Sequence, residues 1–401
     1  MTKIAIMGFG TVGSGVAEVL MENSDSIVSK ACDELEIKYI LDVREFPEHP
    51  LADRVIHDFS IIEQDSEVKI VAETIGGATI AYEFTKRCLL AGKSVVTSNK
   101  ELVATHGLEL LSIAKEKNVN YLFEASVGGG IPIIRPLTRC LSANRIDEIY
   151  GILNGTTNYI LTQMIQCGVS FENALKQAQE NGYAELNPAA DIEGQDACRK
   201  ISILADLSFG HNVDPALVKT QGITDVTLQD VDCAGRFGYS IKLLGRALRT
   251  SETSVTAYVA PHLIAKTDML SNVNDVMNAV VVCGNAVGQT MFYGAGAGKR
   301  PTASAVVADI VDAALHTVKR KEIGWEAAEK GFFTDSDALV SCWYLRVAGE
   351  KETILTRFGA TELLDADAGE AYALITGEMD ASTLANLTKT LDVRAAFRVL
   401  A

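Results

Sequence analysis

The sequence predicts an α/β protein, with a doubly wound parallel sheet first, an α+β substrate and dimerisation domain next, and a small C-terminal module last. Three observations carry this. Up to about residue 130, apolar runs of strand length alternate with helical periodicity, the pattern of a parallel sheet covered on both faces. Between about 140 and 300 strands and helices mix without that alternation. From about 338 strand and helix patterns start afresh in a short segment, near the lower size limit for a unit that folds alone. The 401 residues leave room for two or three domains, and 48% apolar with 22% charged residues permits several cores. The formal net charge of −16 argues against nucleic acid or an anionic membrane as the main partner. No apolar run reaches membrane-spanning length and no leader pattern precedes the first strand, so a cytoplasmic protein is expected. The eight cysteines are widely spaced without a CxxC and read as small buried hydrophobes.

The elements follow in order. Lys3–Met7 reads as the first strand, and Thr11 to about Lys30 as an amphipathic helix. Strands at Glu36–Leu41, Lys69–Thr74, Ser94–Thr97 and Asn120–Glu124 alternate with helices near Ala78–Ala91 and Glu101–Lys117, giving a domain over 1–135. In the second domain, 136–299, Arg145–Leu153, Ser254–Tyr258 and Ala279–Val282 are strand-like. Its helical stretches are Tyr159–Cys167, Ser170–Asn181 and Gln195–Leu207. Pro301 to about Lys319 reads as one helix, with 300–325 expected to return to the first domain. Ser341–Val347 opens the module at 338–401.

Gly8-Phe9-Gly10-Thr11-Val12-Gly13 is a G-x-G-x-x-G run between a strand and a helix, the context a dinucleotide fingerprint requires. Its glycines allow a tight turn, let backbone approach a pyrophosphate, and present the helix N-terminus to it. The first domain is therefore expected to be Rossmann-type. At the end of the second strand, Asp42 could accept from a ribose 2′-OH, favouring NAD, or Arg44 could hold a 2′-phosphate, favouring NADP. Thr74 and Ile75 leave the third strand where a nicotinamide commonly lies.

Ser98-Asn99-Lys100-Glu101 has capping-box spacing, which places Lys100 in a first helical turn where the dipole opposes its charge and lowers its pKa. Either that lysine is functional or its head is simply in solvent. Asp196 and Lys200 stand four apart on one helix face, with Glu185 and Asp191 in the loop before it. Three carboxylates around one lysine suit proton transfer, though a solvated surface pair has the same spacing. Asn154-Gly155-Thr156-Thr157-Asn158 reads either as a hairpin turn, the usual meaning of Asn-Gly, or as a helix start at which Thr156 would suit a substrate carboxylate. The glycine-rich run Glu124 to Pro132 either ligates a hard cation through its carbonyls or serves as a hinge.

Taken together, these motifs resemble homoserine dehydrogenase over about residues 1–320. The carrying segments are Gly8–Gly15, Ser98–Ala104, Glu124–Ile134, Leu153–Leu161, Gly182–Lys200 and Gly294–Ile310. The resemblance implies NAD(P)-dependent interconversion of L-homoserine and L-aspartate 4-semialdehyde, in the branch leading to threonine, isoleucine and methionine. It implies Lys200 as acid/base, Lys100 as a second lysine at the reacting end, and Glu185, Asp191 and Asp196 on the substrate side. It matches Glu124, Val127, Gly129 and Ile131 to the positions that hold a sodium ion. Gly8–Gly13, Asp42, Arg44, Thr74, Ile75, Ser98 and Lys100 are then the cofactor-side residues, and a homodimer or homotetramer is expected. Relatives of this family often end in an ACT module that binds threonine. Here the usual Asp-x-Pro-Gly turn is replaced by Gly349-Glu350-Lys351-Glu352-Thr353, so a degenerate module with a weak response, if any, is expected. Two rivals remain at this level: a cysteine-dependent acylating semialdehyde dehydrogenase, for which no cysteine sits in a suitable motif, and a non-catalytic NAD-binding sensor or regulatory subunit.

Overall fold

The computed structural model describes residues 1–359 and 362–400; positions 360, 361 and 401 of the expected C-terminal module lie outside the described residues. A six-stranded parallel sheet has the order β3-β2-β1-β4-β5-β6. Its strands are β1 (Thr2–Met7), β2 (Leu35–Leu41), β3 (Val55–Ile56), β4 (Val68–Glu73), β5 (Ser94–Thr97) and β6 (Tyr121–Leu122). Helices α1 (Thr11–Glu22), α2 (Ser24–Ala31), α3 (Phe59–Gln64), α4 (Thr79–Leu90) and α5 (Lys100–Lys117) connect them. The central strands bury nearly every residue on both faces, as parallel strands between helical layers must.

Two expectations change here. The helix anticipated from Thr11 to Lys30 breaks at Asn23, which caps the end of α1 and precedes α2; Asn23, Ser24 and Asp25 compete with helical backbone bonding. The strand anticipated at Asn120–Glu124 shrinks to β6, because Glu124–Ser126 turns into a 3₁₀ helix.

The second sheet is ten-stranded among the described residues, ordered β12-β11-β7-β9-β10-β16-β13-β15-β14, with β8 pairing β10. Its first part comprises β7 (Ile146–Ile152), β8 (Lys219–Thr220), β9 (Tyr239–Arg249), β10 (Val255–Ala265), β11 (Met277–Gly284) and β12 (Gly288–Ala295). Helices α6 (Gly155–Cys167), α7 (Phe171–Glu180), α8 (Ala189–Ile192), α9 (Gln195–Phe209) and α10 (Leu228–Arg236) accompany it, and α11 (Lys299–Leu315) follows. Helix α9 lies close on β9 because Gly245 has no side chain: a Cβ there would stand 2.8 Å from Leu153 and 3.0 Å from Ile201. Helix α11 crosses back to pack on α1, where Gly15 admits Lys299 and Ala303.

Strand β9 escapes the sequence pattern because Lys242 and Arg246 interrupt its apolar run. Lys242 is buried and Arg246 partly so, both with partners: Lys242 donates to Asn158 Oδ1 at 3.1 Å and to the Val273 carbonyl, and Arg246 pairs with Glu148.

The C-terminal segment runs β13 (Trp343–Ala348), α12 (Lys351–Phe358), β14 (Leu364–Asp365), β15 (Ala371–Ile375), α13 (Ala381–Thr388) and β16 (Asp392–Val399), a βαββαβ order. Its sheet continues the second sheet through parallel pairing of β16 with β10. Buried Arg346 clamps it to α10, donating to Asp230 at 2.7 Å, and Tyr344 donates to the same carboxylate at 3.0 Å. All eight cysteines are free, but Cys32, Cys140 and Cys167 are exposed, so burial holds for only part of the set. No described helix is long and apolar enough to cross a membrane.

Candidate active site

The segment after β7 and the starts of α5, α6 and α9 meet around Asp196. This aspartate stands in the first turn of α9, fully buried. Its Oδ1 lies 2.7 Å from Lys100 Nζ, and its Oδ2 lies 2.7 Å from Lys200 Nζ. One carboxylate thus bridges both lysines. Lys200 also donates to the Leu153 carbonyl at 2.7 Å. Asn154, one residue on, donates from Nδ2 to Asp191 Oδ1 at 2.7 Å and to Asp196 Oδ2 at 2.9 Å, while its Oδ1 caps α6 by accepting from Thr157 N.

The electrostatics follow from burial and these pairings. Burial pulls Lys200 below its ordinary value, Asp196 opposes that, and Lys100 adds to the lowering. Burial also works against Lys100, yet Asp196 and Asp191 outweigh it and hold this lysine above its ordinary value. The lowered pKa anticipated for Lys100 from the helix dipole is therefore corrected: the ion pair at its tip dominates. Burial would raise Asp196, but the two lysines hold it well below the carboxylate range. Burial raises Asp191. The cluster thus offers a lysine that gives up its proton more readily than usual beside one that holds its proton more firmly.

Other anticipated residues are placed as follows. Helix α5 is capped by Asn99, which accepts from Leu102 N at 3.0 Å, rather than by the Ser98 box, because the chain is still extended at Asn99. Thr156 donates its hydroxyl proton to the Tyr183 carbonyl at 2.7 Å, so that hydroxyl is not a free donor, and the Thr157 amide is already taken by the Asn154 cap. Glu185 is exposed in the loop before α8 and is not drawn into the lysine cluster. Sequence reasoning did not give Asn154 its role as the amide joining two carboxylates, nor Glu73; neither residue type announces such a task.

On the cofactor side, Gly8 has φ +88° and a Cβ there would stand 2.9 Å from the Thr74 carbonyl, while one on Gly13 would collide with the Gly8 carbonyl at 2.0 Å. The first turn of α1 carries no side-chain cap, leaving its amides to a ligand. Asp42 Oδ2 accepts from Phe9 N at 2.7 Å and Arg44 Nη2 at 3.0 Å, and Oδ1 accepts from Arg44 N and Nε, both at 2.9 Å. Hydrogen bonding from Arg44 first, then Phe9, holds Asp42 well below the carboxylate range despite burial. In the glycine-rich run, Glu124 Oε1 accepts from the amides of Ile133 and Ile134 at 2.7 and 2.8 Å, and Oε2 from that of Arg135 at 2.8 Å.

The sequence model of the homoserine dehydrogenase NAD binding domain matches residues 8–124, and that of homoserine dehydrogenase matches residues 132–311. A homoserine dehydrogenase of Pseudomonas aeruginosa is 42% identical over 353 residues, covering 86% of this chain and 81% of its own. The chain belongs to the homoserine dehydrogenase family. Its fold matches the crystal structure of the homoserine dehydrogenase of Thiobacillus denitrificans with TM-score 0.92 and 35% identity, over 100% of this chain and 98% of that one. A hyperthermophilic archaeal homoserine dehydrogenase in complex with NADPH matches with TM-score 0.67 and 29% identity, over 78% of this chain and 98% of its own. As a homoserine dehydrogenase the chain is an NAD(P)-dependent oxidoreductase that acts on a hydroxyl group of a small molecule.

Proposed function

We propose that Lys200 is the proton-transfer group in the interconversion of L-homoserine and L-aspartate 4-semialdehyde. The observation that carries this is the Asp196 bridge, which holds two lysines at one point, with burial outweighing the carboxylates at Lys200 and the carboxylates outweighing burial at Lys100. In the oxidation direction neutral Lys200 takes the hydroxyl proton, and a nicotinamide held at the fingerprint would supply the hydride acceptor. Lys100, held cationic by Asp196, polarises the same oxygen. In reduction the charges run backward, with protonated Lys200 as the acid. Asp191 and Glu185 would receive the substrate ammonium, and the amides at the start of α6 its carboxylate. A non-catalytic sensor would have no use for so costly a buried lysine–carboxylate set.

The cofactor-side geometry favours NADP. Asp42 already accepts four hydrogen bonds, which leaves it little for a ribose hydroxyl, while Arg44 is half-exposed over the Phe46 ring with guanidinium N–H groups to spare. By the family resemblance, a sodium ion would rest on the carbonyls of Val127, Gly129 and Ile131 beside Glu124. It would fix the glycine-rich run rather than enter the chemistry.

Initial rates of homoserine oxidation test these assignments together. Arg44→Ala is expected to raise the NADP KM by about tenfold, equivalent to about 1.4 kcal/mol, with little change for NAD. Glu185→Ala is expected to raise the homoserine KM by a similar factor. Replacing sodium chloride by tetramethylammonium chloride should lower the rate. An Arg44→Ala enzyme with an unchanged NADP-to-NAD ratio, an unchanged homoserine KM in Glu185→Ala, or indifference to sodium contradicts the corresponding assignment.

The C-terminal segment is read as an ACT-like module whose altered turn at Gly349–Thr353 weakens its effector site. Calorimetry is expected to show no saturable threonine binding below millimolar concentration, and such binding with inhibition would overturn this. The same reading places the enzyme in the cytoplasm as a homodimer or homotetramer; the open edge strand β12, with Tyr293 exposed, is an edge that self-association would cover.

A further inference from the structure

We propose that Glu73 is a positioning residue for the redox reaction: its two carboxyl oxygens tie the cofactor-side loop 74–77 to the turn that carries Lys100. Glu73 ends β4, fully buried and in register with Thr97 at the end of β5. Its Oε1 accepts from Ile75 N at 2.6 Å, and its Oε2 accepts from Thr97 Oγ1 at 2.5 Å. Thr97 Oγ1 in turn accepts from Asn99 N at 2.9 Å, and Asn99 Nδ2 returns to the carbonyls of Ile75 at 3.3 Å and Gly77 at 2.7 Å. The bonds close a ring from Glu73 through Ile75, Asn99 and Thr97 back to Glu73. The next residue, Lys100, reaches Asp196. On its other side the loop grips the fingerprint, as Thr74 Oγ1 donates to the Gly8 carbonyl at 2.7 Å.

A carboxyl at this place is expensive. Among the described residues no cation partners it, and burial pushes it up to about 7; the titratable neighbour that feels its charge is the buried Tyr121 phenol on β6. An apolar side chain would fill the same space at lower cost. What glutamate adds is a pair of hydrogen-bonding atoms that join two strand ends, and misplacing reacting groups by about 1 Å can cost about 10²-fold in rate. The inference rests on Lys100 and Lys200 forming the reacting end, which Lys200→Ala tests separately.

The test compares Glu73→Leu, which removes both bonds, with Glu73→Gln, which can keep an acceptor for Ile75 N and a donor for Thr97. Both are assayed for homoserine oxidation at a temperature where circular dichroism shows folded protein. Glu73→Leu is expected to lose at least about 30-fold in kcat with the homoserine KM within about threefold, and Glu73→Gln to recover to within about threefold of wild type. Retention of more than about a third of kcat in Glu73→Leu, or an equal loss in both variants, overturns the proposal. Should Glu73→Leu not fold, Thr97→Val breaks the ring from the other side: kcat should fall about tenfold and return in Thr97→Ser. Wild-type kcat in Thr97→Val overturns it equally.

Discussion

Lys200→Ala is expected to lower kcat for homoserine oxidation by at least about 10²-fold, within the 10²–10⁴ range typical of a removed general acid or base. Dinucleotide affinity should stay within about twofold, because Lys200 Nζ contacts the Leu153 carbonyl and Asp196 and no fingerprint residue. The scaffold should survive the change. Asp196 keeps Lys100 at 2.7 Å and Asn154 at 2.9 Å, so no buried carboxylate is abandoned. A variant that retains more than about a tenth of wild-type kcat would show that the proton goes elsewhere.

Asp196→Asn should be nearly as damaging by a different route. It removes the one negative charge on which both lysines close, leaving two amines crowded against a neutral amide in a buried place. Breaking such a set costs about 3–5 kcal/mol of stability, so a clear drop in melting temperature is expected. Activity should fall on the order of 10²-fold, since neither lysine is held where the hydroxyl must sit. The sign of the residual pH effect is fixed. Asp196 favours the charged form of each lysine, so its loss lowers both pKa values, and the alkaline rise of oxidation should move to lower pH. A shift to higher pH, or an unshifted profile at near-normal rate, would contradict the bridge.

Much of this site was legible in the sequence. The i, i+4 spacing of Asp196 and Lys200, the fingerprint between β1 and α1, and the start of α5 near Lys100 are local features, and local rules reach them. The charge on Lys100 was misread for the same reason: its dipole environment is local, whereas its partner Asp196 lies 96 positions further along the chain. Glu73 acts across the ends of two neighbouring strands and Asn154 joins the turn after β7 to α8 and α9, and only the tertiary arrangement brings those segments together. Strand β9 was missed because its lysine and arginine are buried or partly buried with partners from other segments, which periodicity reads as solvent-facing. The Asp42–Arg44 ambiguity also yields only to geometry, since residue types alone do not show that one side chain saturates the other.

The central claim, that burial lowers the proton affinity of Lys200 beside a Lys100 whose proton is held more firmly, is tested most directly by wild-type pH–rate profiles in both directions at constant ionic strength. With saturating cofactor, kcat/KM for homoserine oxidation should rise with pH as Lys200 loses its proton, with a limb centred below the 10.5 of an ordinary lysine. Semialdehyde reduction should fall over the same interval, because there the protonated form is the acid. An oxidation limb centred at or above 10.5, or a reduction profile that does not mirror it, would contradict the assignment.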